Sequence, residues 1–281
     1  MFPISNGANV ETLVDYQLPV LGTNGYPLQD GAVYGPIHSR RFGYSLGINP
    51  LPVSYKFCDF DCVYCQYGWT PRPGSIAKRT DEKLKPLARL LSEIETSFQK
   101  MKSKKVPVDV ITIAGNGEPT LYPEFLKFVR GFLELRGQYY PEAPIGILSD
   151  SSQSHRPEIK EALELLDDRC MKLDAGDPET VEKINKPIGG FDLKRTLDAL
   201  KNLKDITIQS LFVRGSFDNT QPHQIDHWVK AVAYVKPKAV QVYTIDRPPA
   251  DDGIETVPTA RLHEIAELCR KIVGVETEVF D

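Results

Sequence analysis

No stretch of this 281-residue chain approaches the roughly 18 consecutive apolar residues that a membrane-spanning helix needs. A helical membrane span is therefore excluded. The opening residues, Met1-Phe-Pro-Ile-Ser-Asn-Gly, lack a basic segment followed by an apolar one, so no secretory signal is expected. Cysteine is scarce. There are five, an odd number, and three fall within eight residues, which is not the pattern of a disulfide framework. Thiols left free in this way suit a reducing compartment, and a cytoplasmic location is expected. Basic excess is missing too. Lys and Arg number 34 against 38 Asp and Glu, a net charge of −4. A large nucleic-acid footprint wants a basic face, so a nucleic-acid partner is disfavoured. There is no internal repeat, low-complexity tract or linker.

The chain does have an apolar fraction of 41% and regular punctuation by Gly and Pro, as in a globular protein. Residues 1–40, rich in Gly, Pro and Asn, show no sustained period and are expected to form an irregular extension. Beyond them, β-rich runs at 44–48, 108–113, 144–149, 170–174, 206–213 and 239–244 alternate with amphipathic segments. Leu84, Leu87, Leu91, Ile94 and Phe98 make one helical stripe. Phe125, Phe128, Val129 and Phe132 make another, and Ile225, Trp228, Val229 and Val232 a third. Pro123, Pro178, Pro222 and Pro258 stand near helix starts, where a missing N–H costs least. Strands separated by helices imply parallel βαβ units, and six of them make an incomplete (βα)6 TIM-type barrel over residues 41–250. Residues 251–281 are expected to add a helix and an edge strand.

The densest chemistry is Cys58-Asp-Phe-Asp-Cys62-Val-Tyr-Cys65. Thiolates bunched this tightly bind zinc, copper or an iron–sulfur cluster. A closed tetrahedral site needs a fourth ligand at short range. The nearest histidine in sequence is His38 and the next cysteine is Cys170. Three ligands on a four-iron cluster leave one iron open to a small molecule.

This loop, with an aromatic before its third cysteine, resembles the radical S-adenosylmethionine (SAM) superfamily. The resemblance implies that Cys58, Cys62 and Cys65 hold a [4Fe–4S] cluster and that SAM chelates the fourth iron. A second motif agrees: Gly115-Asn116-Gly117-Glu118-Pro-Thr120 follows an apolar strand, where the family places a Gly-Gly-Glu-type segment against the SAM amino group. Asn116 replaces the commoner glycine. More narrowly, residues 35–50, with Arg40 and Arg41, resemble a branch that includes the tRNA wyosine-forming enzymes. Leu173-Asp174-Ala-Gly-Asp, Asn185-Lys-Pro187 and Arg247-Pro-Pro extend the likeness, which covers residues 34–250. It also implies that Tyr64 lies near the SAM adenine and Ser149 near its ribose, although Asp150 stands where Asn is usual.

Strand alternation adds two candidates. If Met171 and Leu173 face the helices, then Cys170, Lys172 and Asp174 face the barrel interior. Lys172 and Asp174 then either bind SAM or substrate as catalytic residues, or neutralise each other as an interior ion pair. Arg214 is a candidate partner for the SAM carboxylate, with a solvated arginine as the alternative. His223 and His227, at i and i+4, lack a third metal ligand and read as a solvated helix face. Cys170 and Cys269 read as core.

The function expected is reductive cleavage of SAM to a 5′-deoxyadenosyl radical that abstracts hydrogen from a substrate in the barrel mouth. An external reductant such as flavodoxin or ferredoxin is implied by the resemblance. A small-molecule substrate is favoured over a tRNA base or a glycyl-radical partner protein. The non-enzymatic alternative is an iron–sulfur electron-transfer or structural zinc protein.

Overall fold

The computed structural model describes residues 19–39, 43–70 and 84–281. Its main sheet has eight strands. Six of them run parallel in chain order: β2 (Gly43–Ile48), β3 (Val110–Ile113), β4 (Ile145–Ser149), β5 (Asp168–Lys172), β6 (Ile206–Leu211) and β8 (Ala239–Tyr243). Each coincides with one of the six β-rich runs, and the wall they form is the expected partial barrel. Among the described residues the sheet is not closed. β1 (Val33–Ser39) borders β2 antiparallel, and β10 (Glu276–Phe280) borders β8 parallel.

β1 corrects the expectation of an irregular segment up to residue 40. Gly35 and Pro36 break its alternation, and the register slips between Tyr34 and Ile37. That irregularity hides a strand from a search for period two. Arg40 and Arg41 lie outside the described residues.

Period two decides which side chains meet which layer. Leu46, Ile48, Ile111, Ile113, Ile145, Ile147, Met171, Ile208, Val240 and Val242 point outward into the main core. There they meet the helices α1 (Leu87–Ser103), α2 (Phe125–Tyr139), α3 (Pro157–Glu164), α4 (Pro178–Ile184), α5 (Leu193–Lys201), α6 (Pro222–Val235) and α7 (Thr259–Val273). The stripe on α2 is buried as expected, and so is that on α6. On α1 the buried face is Leu90, Ile94 and Phe98, while Leu87 and Leu91 flank it. Cys269 of α7 is core, and Cys170 is buried in the wall. Fully burying each such side chain stabilises the fold by about 1.5–3 kcal/mol.

The inward face is polar. Lys172, Gln209 and Gln241 stand abreast on β5, β6 and β8. Gln209 Nε2 donates to Gln241 Oε1 at 2.7 Å, and Ser45 Oγ lies 2.8 Å from Thr112 Oγ1. The helix-facing apolar layer thus holds the barrel while the interior is left to hydrogen-bonding groups. β7 (Arg214–Gly215) leaves the wall after β6 and pairs with β9 (Ile254–Glu255) in a separate ribbon.

Candidate active site

The C-terminal ends of the six parallel strands open onto a cavity of about 520 Å³. In a (βα) barrel this is the end where loops carry chemistry. Cys58, Cys62 and Cys65 line it, as do Tyr64, Gly115, Gly117, Glu118, Ser149, Asp150 and Lys172.

The cysteine loop is anchored by its apolar residues. Phe57 is fully buried against Leu51 and Leu121, and Val63 against Ile184, Leu211, Val213 and Ile254. Between these anchors the thiols turn toward the cavity. Backbone bonds from Cys65 N to Cys62 O and from Gly68 N to Cys65 O, both 3.0 Å, shape the last turn. Burial pushes the Cys62 thiol up to about 12, and it holds Cys58 well above its ordinary range, with Asp150 adding to the effect. Both are neutral thiols until a metal displaces their protons.

The donor set fits a cluster better than a single ion. Four sulfurs at 2.3 Å around one tetrahedral zinc would lie about 3.8 Å apart. Among the described residues, the only trio of such ligand atoms mutually within 4.8 Å is Cys58, Asp59 and Asp150. The three cysteine sulfurs are therefore spread more widely than one zinc allows. Cys170 and Cys269 do not line the cavity.

Gly115–Glu118 lies directly on the cysteine loop. Phe57 N donates to Asn116 O at 2.7 Å, and Glu118 N to Phe57 O at 3.0 Å. Gly117 has φ +144°, and a Cβ there would lie 1.8 Å from Phe57 O. A Cβ on Gly115 would lie 2.1 Å from Asn49 Oδ1. The glycines are thus required by contact between two protein loops. Glu118 is 2% exposed. Its Oε1 accepts from Thr120 N at 2.9 Å and Ser149 Oγ at 3.0 Å, and its Oε2 from Asp150 N at 2.6 Å. Burial raises its carboxyl to about 7, against the lowering effect of these donors. Ser149 therefore meets Glu118 rather than standing free for a ribose. Asp150 Oδ2 lies 3.6 Å from Cys58 Sγ.

The Asn116 side chain turns away from the cavity. Its side chain accepts from Gln29 N at 2.8 Å and donates to Gln29 O and Pro52 O, both at 2.9 Å. It does not line the cavity. A buried amide must satisfy its donors and acceptor, and here the N-terminal segment supplies the partners.

Lys172 and Asp174 form the interior ion pair, at 3.1 Å. The carboxylate is saturated. Oδ1 takes Lys172 Nζ and, at 2.8 Å, Leu211 N; Oδ2 takes Asn185 Nδ2 at 2.7 Å and Tyr64 OH. Four donors fill the four lone-pair sites of a carboxylate. Asp174 does not line the main cavity, and of the two readings the structure shows the interior ion pair. Lys172 does line it. Its ammonium donates to Tyr243 OH at 2.9 Å and sits 4.6 Å and 5.0 Å from the ring centres of Tyr64 and Tyr243. Burial lowers its proton affinity, but Asp174 outweighs that and keeps it charged. The Tyr64 ring is thus held by its hydroxyl and faced by a cation.

Arg214 is also corrected. β6 ends at Leu211, and β7 carries Arg214 into the outer ribbon opposite Glu255, with 3.7 Å between their charged groups. It does not line the cavity. His227 pairs with Asp177 at 3.3 Å and joins no metal-binding group among the described residues.

Three features escaped the sequence reading. Lys56, 2% exposed, stands beside the cysteines. Asn185 reaches Asp174, Tyr64 and, at 3.5 Å, Cys62 Sγ. Its motif was visible, but its partners are far away in sequence. Asn24 ties the N-terminal segment to Gln66 O at 3.0 Å and to Pro248 O and Pro249 O, both at 3.1 Å.

The model of the radical SAM superfamily matches residues 53–244, from the cysteine loop through the end of β8. The chain belongs to the radical SAM superfamily. The cofactors of this radical SAM protein are accordingly a [4Fe–4S] cluster and SAM. It is similar to a UPF0026 protein of Helicobacter pylori, 32% identical over 223 residues, which are 77% of this chain and 67% of that one. A UPF0026 protein of Synechocystis is 30% identical over 224 residues, 77% of this chain and 76% of its own. TYW1 with a lysine–pyruvate adduct bound shares the fold. Its TM-score is 0.54 over 81% of this chain and 73% of that chain, at 14% identity. No helix among the described residues is long and apolar enough to cross a membrane.

Proposed function

We propose that this radical SAM protein is an enzyme that abstracts hydrogen from a small polar molecule held in the barrel interior. The observation that carries this reading is the meeting of the cysteine loop and the six strand ends on a cavity of about 520 Å³. Cys58, Cys62 and Cys65 would hold the cluster, which when bound would supply the electron for reductive cleavage of SAM to methionine and a 5′-deoxyadenosyl radical.

The chain's own residues do the rest. Glu118 accepts a hydrogen bond from the SAM amino group, and Ser149 with Asp150 N orients that carboxylate. Tyr64, fixed by Asp174 and Asn185, forms a rigid wall beside the third cysteine. Lys172, Gln209 and Tyr243 offer donors to a polar substrate below. The N-terminal segment, pinned by Asn24 and Gln29, helps to exclude water that would quench a radical. The polar interior and the cavity's size support a small molecule over a macromolecule. An external reductant such as flavodoxin or ferredoxin would provide the electron.

The test is anaerobic reconstitution with iron and sulfide, then SAM and dithionite. Formation of 5′-deoxyadenosine, lost on replacing Cys58, Cys62 and Cys65 by Ala, is expected. A reconstituted protein that holds its cluster and yields no 5′-deoxyadenosine would overturn the reading in favour of electron transfer alone.

A further inference from the structure

Lys56 is among the largest fully buried side chains in the protein. A buried ammonium is costly unless it is paired and hydrogen-bonded. Its Nζ donates to Gly68 O at 3.0 Å and meets Asp61 Oδ1 at 3.3 Å. Asp61 is itself held by Thr70 N at 2.7 Å. These bonds join the beginning of the cysteine loop to its end. They do not account for the placement of the charge, because Lys56 lines the same cavity as all three cysteines.

The other ionisable groups beside the thiols are mostly acids. Asp150 touches Cys58, and Asp59 adjoins it with Oδ1 lacking a hydrogen-bond partner. Two more cations line the cavity among the described residues. Lys172 is neutralised by Asp174, and Arg247 is bonded to Gln66 at 2.8 Å.

We infer that Lys56 is a fixed cation behind the cluster loop that raises the reduction potential of the [4Fe–4S] cluster and so eases its reduction. The inference rests on the cluster being held by Cys58, Cys62 and Cys65. Reduction adds one negative charge to an already anionic tris-thiolate centre. A buried positive charge favours the reduced form, and local charge is one of the levers that set cluster potentials. Asp61 offsets part of this effect. The pair therefore predicts opposite signs for its two members. Removing the ammonium leaves Asp61 to repel the incoming electron. Removing the Asp61 charge leaves the ammonium uncompensated.

The experiment is a redox titration of the reconstituted protein without SAM, following the reduced cluster by electron paramagnetic resonance, with iron content measured in parallel. Lys56→Met is expected to shift the midpoint to more negative potential. The shift should be about tenfold in the reduced-to-oxidised ratio, which is about 59 mV for a one-electron couple. Lys56→Arg should stay near the wild type. Asp61→Asn should shift the midpoint the other way, and it carries the test if Lys56→Met fails to hold a cluster. Shifts of the same sign in Lys56→Met and Asp61→Asn, unchanged midpoints, or loss of the cluster in both would overturn the inference and leave a structural clamp. A wild-type protein that assembles no [4Fe–4S] cluster would instead overturn the cluster assignment itself.

Discussion

Glu118 shows how one residue can be prepared for a ligand by being uncomfortable without it. It is buried, it accepts from neutral donors, and among the described residues no cation pairs with it. Its carboxyl is raised from 4.5 to about 7, chiefly by burial. An acid whose folded value is raised keeps its proton in the folded state where the unfolded chain has released it. Its contribution to stability is full below about 4.5 and is lost as pH rises to about 7. The SAM-free protein should therefore lose thermal stability over that interval, and Glu118→Gln should lose less. The same titration acts in reverse on the ligand, because only the carboxylate makes a charge-assisted bond to an amino group. SAM affinity should rise with pH through about 7 in the wild type. In Glu118→Gln it should be flat and weaker by ~1.5–3 kcal/mol. Titrating SAM into the reduced protein at several pH values measures both, and parallel curves for the two proteins would place the SAM amino group elsewhere. The acid was legible in the sequence, because a glycine–glutamate segment after a strand is a local pattern. The side-chain partners of Asn116 in the same segment, Gln29 and Pro52, are not legible there, because they come from loops that no local pattern connects to it.

At the scale of elements, the strands were readable and their junctions were not. All six parallel strands announce themselves by apolar runs, and alternation along β5 places Lys172 inward and Met171 outward. What alternation cannot reveal is that Asp174, just past the strand, is the knot between four elements. It binds Lys172 of β5, Leu211 of β6, Asn185 at the end of α4 and Tyr64 of the cysteine loop. Arg214 failed for a related reason: the chain leaves the wall one turn before it, which only the pairing with Glu255 reveals. Asp174→Asn keeps the shape of the knot and removes its charge. It should cost about 3–5 kcal/mol of stability, since it strands a buried ammonium. Adding Lys172→Met should recover part of that loss, because the unpaired charge is then gone. Urea unfolding of the two single variants and the double variant measures the coupling. Strict additivity would dissolve the ion pair as a stabilising unit.

The whole molecule divides along the barrel axis into a half that holds shape and a half that holds chemistry. Below the strand ends, the wall and its helices share one continuous apolar core that includes no cluster ligand. Above them, the cysteine loop is tied to its surroundings by scattered backbone bonds. Phe57 meets Asn116 and Glu118, Asp61 meets Asn185, Val63 meets Ile184 and Asp251, and Gln66 meets Asn24. The cluster would add three covalent anchors to this upper half and none to the lower. Iron removal leaves Cys58 and Cys62 as neutral thiols, because burial holds their pKa values high. These two thiols then add no negative charge that would drive the mouth apart. Chelating the iron anaerobically should therefore loosen the upper half without unfolding the barrel. Hydrogen exchange should speed up at residues 57–70, and at the segments bonded to them, 24–29, 115–118 and 184–187. Exchange in β3 to β6 should change little, because those amides open mainly through global unfolding. Acceleration spread evenly through the strands would show that the cluster supports the whole fold. Unchanged exchange in the cysteine loop would show that its apolar anchors, Phe57 and Val63, already fix it without metal.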